Sequence, residues 1–188
     1  MLKTIINAFK VKEIRHKIFM MLLLLLVFRI GCFIPVPGLN RETFGTTIAN
    51  NDFLNLMNSI TGGALSQGTV FALGIGPYIN ASIIMQLLSV GIPALENLSK
   101  QGEEGRKKIA QYTRYVTILL AIIQSVGIVV GFGSSSIQSA LFFGQDWLAA
   151  VFMVVVYTAG AFIVMWLGER ITDYGVGNGQ SMIIFIGI

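Results

Sequence analysis

Ser82, Gln86 and Gln124 are the most informative side chains of the sequence, because each stands in a run that is otherwise apolar. A hydroxyl or carboxamide placed in hydrocarbon must find a hydrogen-bond partner, so such residues either tie helices together or face something wet. That is the chemistry of helix-to-helix bonding or of a lined cavity. Bond-breaking chemistry lacks its parts: a single cysteine, Cys32, and a single histidine, His16, supply neither a disulfide nor a metal-ligand cluster. No nucleophile with a base and no acid–base pair stands in the apolar runs or the loops. The expectation is a protein that is not an enzyme and needs no metal or cofactor.

The stretch that must position these groups is Gly62 to Ser89, GGALSQGTVFALGIGPYINASIIMQLLS, inside a charge-free run from Phe53 to Leu95. A glycine-rich, half-polar front (Gly62, Gly63, Gln67, Gly68) feeds an apolar back that begins near Phe71 and carries Pro77, Asn80, Ser82 and Gln86. On a helix, Ile75, Ile79, Ser82 and Gln86 share one stripe that starts apolar and turns polar. A plain anchor has no use for such residues, whereas a broken helix at membrane depth lines a wet cavity.

With 54% hydrophobic and 12% charged residues, the composition is that of a polytopic membrane protein rather than a globular one, in which charged residues make up about a quarter. The net charge of +4 is distributed as membrane orientation requires, and no specific nucleic-acid site is expected. Residues 1–17, with Lys3, Lys10, Lys12, Arg15 and Lys17 beside Ile5, Ile6, Phe9 and Ile14, read as an amphipathic segment on the cytoplasmic surface. Span one covers 18–34 and is stopped by the PVPG turn. A cleaved lipoprotein signal ending at Cys32 is disfavoured by Arg29 and by the spans that follow. Arg29 itself snorkels to the interface, pairs within the bundle or serves an ion path.

Residues 53–68 form a half-apolar helix (Phe53, Leu54, Leu56, Met57, Ile60) with polar Asn55, Asn58 and Ser59, which by itself reads as an external surface helix. Span two covers 71–91, and the charged segment 93–114 is a cytoplasmic loop by its excess of lysine and arginine. Span three (115–132) contains Gly127 and Gly131, a spacing that lets helix backbones approach closely. A glycine- and serine-rich turn leads to span four (147–167), with Trp147 and Trp166 placed as interface anchors. The YGVGNGQ turn then starts span five at 179–188, with Asn178 or Ser181 as its cap. About ten residues reach roughly 15 Å against the ~30 Å of a hydrocarbon core, so span five is read as incomplete.

The strings GIGPYINASIIMQLL, SKQGEEGRKKIAQYTRY and WLGERITDYGVGNGQSMIIF resemble, in the same order, the second span, the following basic loop and the junction of fourth and fifth spans of the SecY family, the central channel subunits of bacterial protein translocases. The resemblance implies an all-α, polytopic membrane helical bundle: the amino-terminal five-span half of a pseudo-symmetric ten-span channel in the bacterial cell membrane, with a cytoplasmic amino terminus. It implies a pore ring to which Ile75, Ile79 and Ile184 contribute. It turns the surface helix into a re-entrant plug that includes Phe53, Leu56, Asn58, Ile60, Gly62 and Gly63. It makes Ser82, Gln86 and Gln124 candidates for a lateral gate, although interhelical bonding without gating fits Gln86 and Gln124 as well. Expected partners are SecE-like and SecG-like small membrane subunits, a SecA motor or the ribosome, secretory and membrane protein substrates, and a carboxy-terminal half.

Two other classes share parts of this pattern. A secondary transporter also uses inverted repeats and broken helices, but an ion-coupled one carries a buried carboxylate or histidine that the four complete spans lack. A non-conducting membrane scaffold would show the same packing residues without a path.

Overall fold

The structure, a computed structural model, describes residues 11–131, 136–137, 144–174 and 177–187. The basic residues Lys3 and Lys10, most of the turn after span three, and Ile188 lie outside the described residues. Eight helices are described: α1 Lys12–Gly31, α2 Arg41–Ala49, α3 Asp52–Ile60, α4 Gly76–Gly91, α5 Pro93–Lys100, α6 Glu103–Gly131, α7 Asp146–Asp173 and α8 Gly179–Gly187. Among the described residues, extended pairing is limited to two isolated bridges, Pro35 with Thr69 and Leu39 with Ile137.

From Lys12 on, the expected surface segment is not a separate helix. It is the start of α1, because neither glycine nor proline interrupts residues 12–30. α1 stops at Gly31, short of the expected end of span one. There the chain turns to pair with residues 68–70: Val36 N–H donates to the Gly68 carbonyl at 2.9 Å and Val70 N–H to the Ile34 carbonyl at 2.9 Å. Phe28 and Phe71 stack with ring centroids 6.0 Å apart, and a side chain at Gly31 would enter the Phe71 ring. Two asparagines start the next helices. The Asn40 side chain accepts from Glu42 N–H at 3.1 Å, and that of Asn51 from Leu54 N–H at 3.3 Å.

Further boundaries differ from expectation. Span two does not start as helix at Phe71: residues 61–75 run through successive turns, and helix begins only at Gly76. The apolar string is continuous, but Gly74 holds φ +53°, which ends any helix entering it, and Pro77 supplies the fixed φ and missing donor suited to a first turn. The segment 93–114 is helical rather than looped. α4 bends by 101° into α5, and α6 takes in residues 103–114, whose Glu, Arg, Lys, Ile and Ala are helix formers. α7 likewise continues past 167 to Asp173. Among the described residues, α6 and α7 are the helices long and apolar enough to cross a membrane, joined by the bent pair α4–α5 if that pair is one span. α1 carries charge at both ends.

α7 is the axis of the fold, since its two halves feed two apolar clusters. Ala149, Met153, Tyr157 and Ala161 pack with Ala121 and Val129 of α6 and with Phe44, Ile48 and Leu54 of the short helices. Val164, Leu167 and Ile171 pack with Leu24, Leu25 and Phe28 of α1, with Phe71 and with Ile183 of α8. Among the described residues the close approach expected at Gly127 and Gly131 is not made: both are exposed, and no described atom lies within 4 Å of a side chain added at either. α6 instead buries Thr113, Thr117, Ala121, Ser125 and Val129, one residue every four. The tight contact belongs to Gly160 of α7, where an added Cβ would lie 2.0 Å from the Val70 carbonyl oxygen.

Tyr157 fills the first cluster at 1% exposure, but its hydroxyl is buried without a partner among the described residues. An unpaired buried hydroxyl costs about 1–3 kcal/mol. Tyr157→Phe is therefore expected to hold or raise the melting temperature in detergent, while Tyr157→Ala lowers it by the loss of a large buried ring, about 3–5 kcal/mol. A clear drop on Tyr157→Phe would reveal a partner for the hydroxyl.

Candidate functional site

α4 and α8 bring the three candidate ring residues to one place. Ile75 occupies the cap position just before α4, not the helix itself, and is buried at 5% exposure among Leu24, Leu25, Phe28, Phe71, Val164 and Ile183. Ile79, one turn on, and Ile184 of α8 are half-buried against the same cluster. The stripe read from sequence is thus split: its apolar start is enclosed, and its polar end, Gln86, is exposed.

Gln86 donates from Nε2 to the Ser82 hydroxyl at 3.3 Å, so these two are brought together along α4. Gln124, half-buried on α6, is not joined to them; among the described residues no hydrogen bond links it to either. The polar link between neighbouring helices is the adjacent pair, Ser125 of α6 and Thr158 of α7, whose hydroxyls lie 3.3 Å apart. Thr158 carried no signal in the sequence, since a threonine in an apolar helix commonly bonds its own backbone, as it also does here to the Val154 carbonyl at 2.8 Å.

Of the candidate plug residues, Phe53, Leu56 and Ile60 are exposed at 68%, 58% and 38%, and Leu54 anchors the helix inside. Asn58 does more than add polarity. Its Oδ1 accepts from Ser66 N–H at 2.8 Å, and its carbonyl accepts from Gly63 N–H at 2.9 Å and from the Thr61 hydroxyl at 3.1 Å. One residue thereby closes the turn that follows α3. Gly62 holds φ +63° where an added Cβ would lie 1.9 Å from the Gly187 carbonyl oxygen, so the turn rests on the end of α8. Gly63 holds φ +84° in open space.

Arg29 forms no ion pair among the described residues. Its Cζ sits 5.7 Å from the centroid of the Phe33 ring, while Nη1 is buried beside Gly62 without a hydrogen-bond partner among the described residues. At the opposite end of the long helices, Arg114 Nε donates to Glu169 Oε1 at 2.8 Å, joining α6 to α7. Asn178 caps α8, accepting from Gln180 N–H at 3.0 Å and Ser181 N–H at 3.4 Å, and the Thr172 hydroxyl accepts from Gly179 N–H at 2.9 Å. Trp147 is exposed at the start of α7 and Trp166 about two turns before its end, with Arg170 5.4 Å over the Trp166 ring. Among the described residues, no group of three or more His, Cys, Asp or Glu side chains is placed to hold a metal.

Residues 69–188 match the SecY family model. The protein translocase subunit SecY of Staphylococcus aureus is 44% identical over 189 aligned positions, covering 100% of this chain and 44% of that protein. The subunit of the same name from Pseudomonas aeruginosa is 48% identical over 178 positions, 94% of this chain and 39% of that protein. The chain thus spans less than half the length of these curated relatives. Among solved structures, Sec61 in the canine ribosome-channel complex from the endoplasmic reticulum superposes with a TM-score of 0.64 at 26% identity, over 89% of this chain and 34% of that one. A second structure, of a protein conducting channel, gives the same values. With most of its sequence matched by the family model and its helices superposing on channel structures, the chain is a member of the SecY family of membrane proteins.

Proposed function

We propose that the chain forms one half of a protein-conducting channel, which passes unfolded polypeptides across the membrane and releases hydrophobic segments sideways into it. The observation that carries this is the meeting of Ile75, Ile79 and Ile184 in one apolar cluster, next to a glycine-turned segment that returns to the membrane bundle before α4 begins. An aliphatic constriction excludes ions by dewetting and yields to a chain that brings its own contacts. α3 and its turn are the plug over that constriction. Its exposed Phe53, Leu56 and Ile60 suit a cover that separates from the bundle rather than a core element.

Ser82 and Gln86 face outward on α4, in the position of a gate that closes against a half supplied from outside this chain. With Gln124 they are the gate residues of this half, where interhelical bonds of about 0.6–2 kcal/mol are weak enough for a hydrophobic segment to separate. The basic bend at α5 and the start of α6 faces the cytoplasm, as does the amino terminus, in the bacterial cell membrane. Secretory and membrane proteins are the substrates. SecE-like and SecG-like subunits and a carboxy-terminal half complete the channel, and a SecA motor or the ribosome drives it, the chain itself having no enzymatic part.

Co-expression of this chain with a carboxy-terminal half as a second polypeptide, followed by reconstitution in liposomes, tests the reading. The expected result is a pore closed to ions that a signal-bearing polypeptide opens, obtained only with both halves. Selective uptake of a small solute by this chain alone would overturn it in favour of a transporter.

A further inference from the structure

We infer that Arg29 is a spring loaded by the seated plug: closure buries one arm of its guanidinium without a partner, and lifting of the plug turn returns that arm to water. The inference rests on the plug reading given above and adds to it the side chain that biases release.

Three elements converge on this arginine. It stands in the last turn of α1. Its Nη1 and the Gly187 carbonyl oxygen of α8 flank one point over Gly62, 2.8 Å and 1.9 Å from where a Cβ on that glycine would lie. Gly62 holds φ +63° in the turn that follows α3, and its N–H donates to the Ser59 carbonyl at 3.2 Å. The bare glycine thus lets the turn close down on the guanidinium. Nη1 is enclosed where water does not reach, and no acceptor among the described residues meets it. The rest of the head group lies over Phe33, whose ring centroid is 5.7 Å from Cζ and whose side faces outward at 62% exposure.

This arrangement has a direction. A charged donor stranded away from water and acceptors raises the energy of the state that strands it. Neither a partner subunit nor a second half relieves it while the turn is seated, because the atoms of this chain already enclose Nη1. Moving α3 and its turn off α8 does. The contact with Phe33 keeps the head group at that spot rather than releasing it along the helix. The cost therefore falls on the closed state alone and brings the open one nearer in energy. A latch is the opposite design, in which the guanidinium bonds the carbonyls of the turn and stabilises closure.

The test uses the full-length channel with its partner subunits in liposomes. It reads resting ion flux, melting temperature and the concentration of a signal-bearing polypeptide that half-opens the pore. Arg29→Met keeps the apolar stem and removes the stranded donor. It is expected to stay sealed, to hold or raise the melting temperature and to need roughly tenfold more polypeptide for half-opening, the population shift of one stranded charged donor. Arg29→Lys keeps the charge and is expected to half-open within about threefold of the parent channel. Gly62→Ala runs in parallel, since it unseats the same turn and leaves the charge in place. Raised resting flux or easier opening in Arg29→Met would make the residue a latch and overturn the spring. An unchanged half-opening concentration in Arg29→Met, with Gly62→Ala leaking, would overturn the spring and leave the plug standing; no change in either would overturn both. Equal shifts in Arg29→Met and Arg29→Lys would show that shape rather than charge decides, and failure of Arg29→Met to fold would show that the arginine stabilises the closed protein. Each of these also overturns the inference.

Discussion

Gly62→Ala is expected to damage the closed channel severely, while Gly63→Ala, one residue away, is expected to be mild. Both glycines hold left-handed backbone, at φ +63° and +84°, and an L-residue in that region costs about 1–2 kcal/mol. What separates them is space. A Cβ at Gly63 meets nothing within 4 Å, whereas one at Gly62 would lie 1.9 Å from the Gly187 carbonyl oxygen and 2.8 Å from the Arg29 guanidinium. The first of these is backbone at the end of α8 and does not swing aside as a flexible side chain does. α3 and its turn must then lift from α8, or α8 must shift and carry Ile184 with it. The expected readout in the full-length channel is a melting temperature lowered several degrees further for Gly62→Ala than for Gly63→Ala, with raised resting ion flux in the first alone. Equal effects at the two positions would show that backbone strain decides and that the seat on α8 contributes nothing.

The contrast also marks what could be read in the sequence. The all-helical membrane class, the family and the glycine-rich interruption at residues 62–68 were legible, because hydropathy, motif strings and glycine content are local signals. The start of α4 was not. Phe71, Ala72 and Leu73 are as apolar as the helix that follows, and only the backbone angle at Gly74 shows that they belong to the turns. Residues 103–114 were read as loop by charge, yet charge reports the side of the membrane and not the backbone, and these residues favour helix. Gly127 and Gly131 had the spacing of a helix contact, but spacing does not say which face meets a neighbour; the buried face carries threonine, alanine and serine instead.

The candidate site divides in the same way. The isoleucines of α4 and α8 were legible through motif strings, and the structure adds that they share a cluster. Asn58 was read as one of the polar residues of the candidate plug helix, whereas its bonds to residues 61, 63 and 66 make it the closure of a turn. Arg114 with Glu169, and Ser125 with Thr158, join residues far apart in the chain. Pairs of that kind leave no periodic trace in one sequence, because each partner looks like an ordinary surface or helix residue until the fold brings them together.

Ile79→Asp is the substitution expected to change function most, and the structure explains why it is preferable to the same change at Ile75. Ile75 is packed at 5% exposure in the apolar cluster shared by α1, α7 and α8, so a carboxylate there strikes the core of the bundle and threatens folding before it tests the seal. Ile79 is half-buried on the first turn of α4, so a substituted side chain there keeps part of its surface outside the cluster. An aliphatic constriction blocks ions by keeping the pore dry, and one carboxylate supplies a hydration site that stabilises a continuous water column. A fall of about 1.4 kcal/mol in the barrier is a factor of ten in rate, so resting cation flux through the full-length channel is expected to rise at least about tenfold. Ile79→Val keeps an aliphatic wall and is expected to stay sealed. Ile84→Asp, on an exposed position of α4 turned away from the Ile75–Ile79 stripe, controls for charge placed elsewhere on the same helix. Flux that rises equally in Ile79→Asp and Ile84→Asp would show that charge on α4 acts through general loosening, and flux unchanged in both would remove Ile79 from the seal.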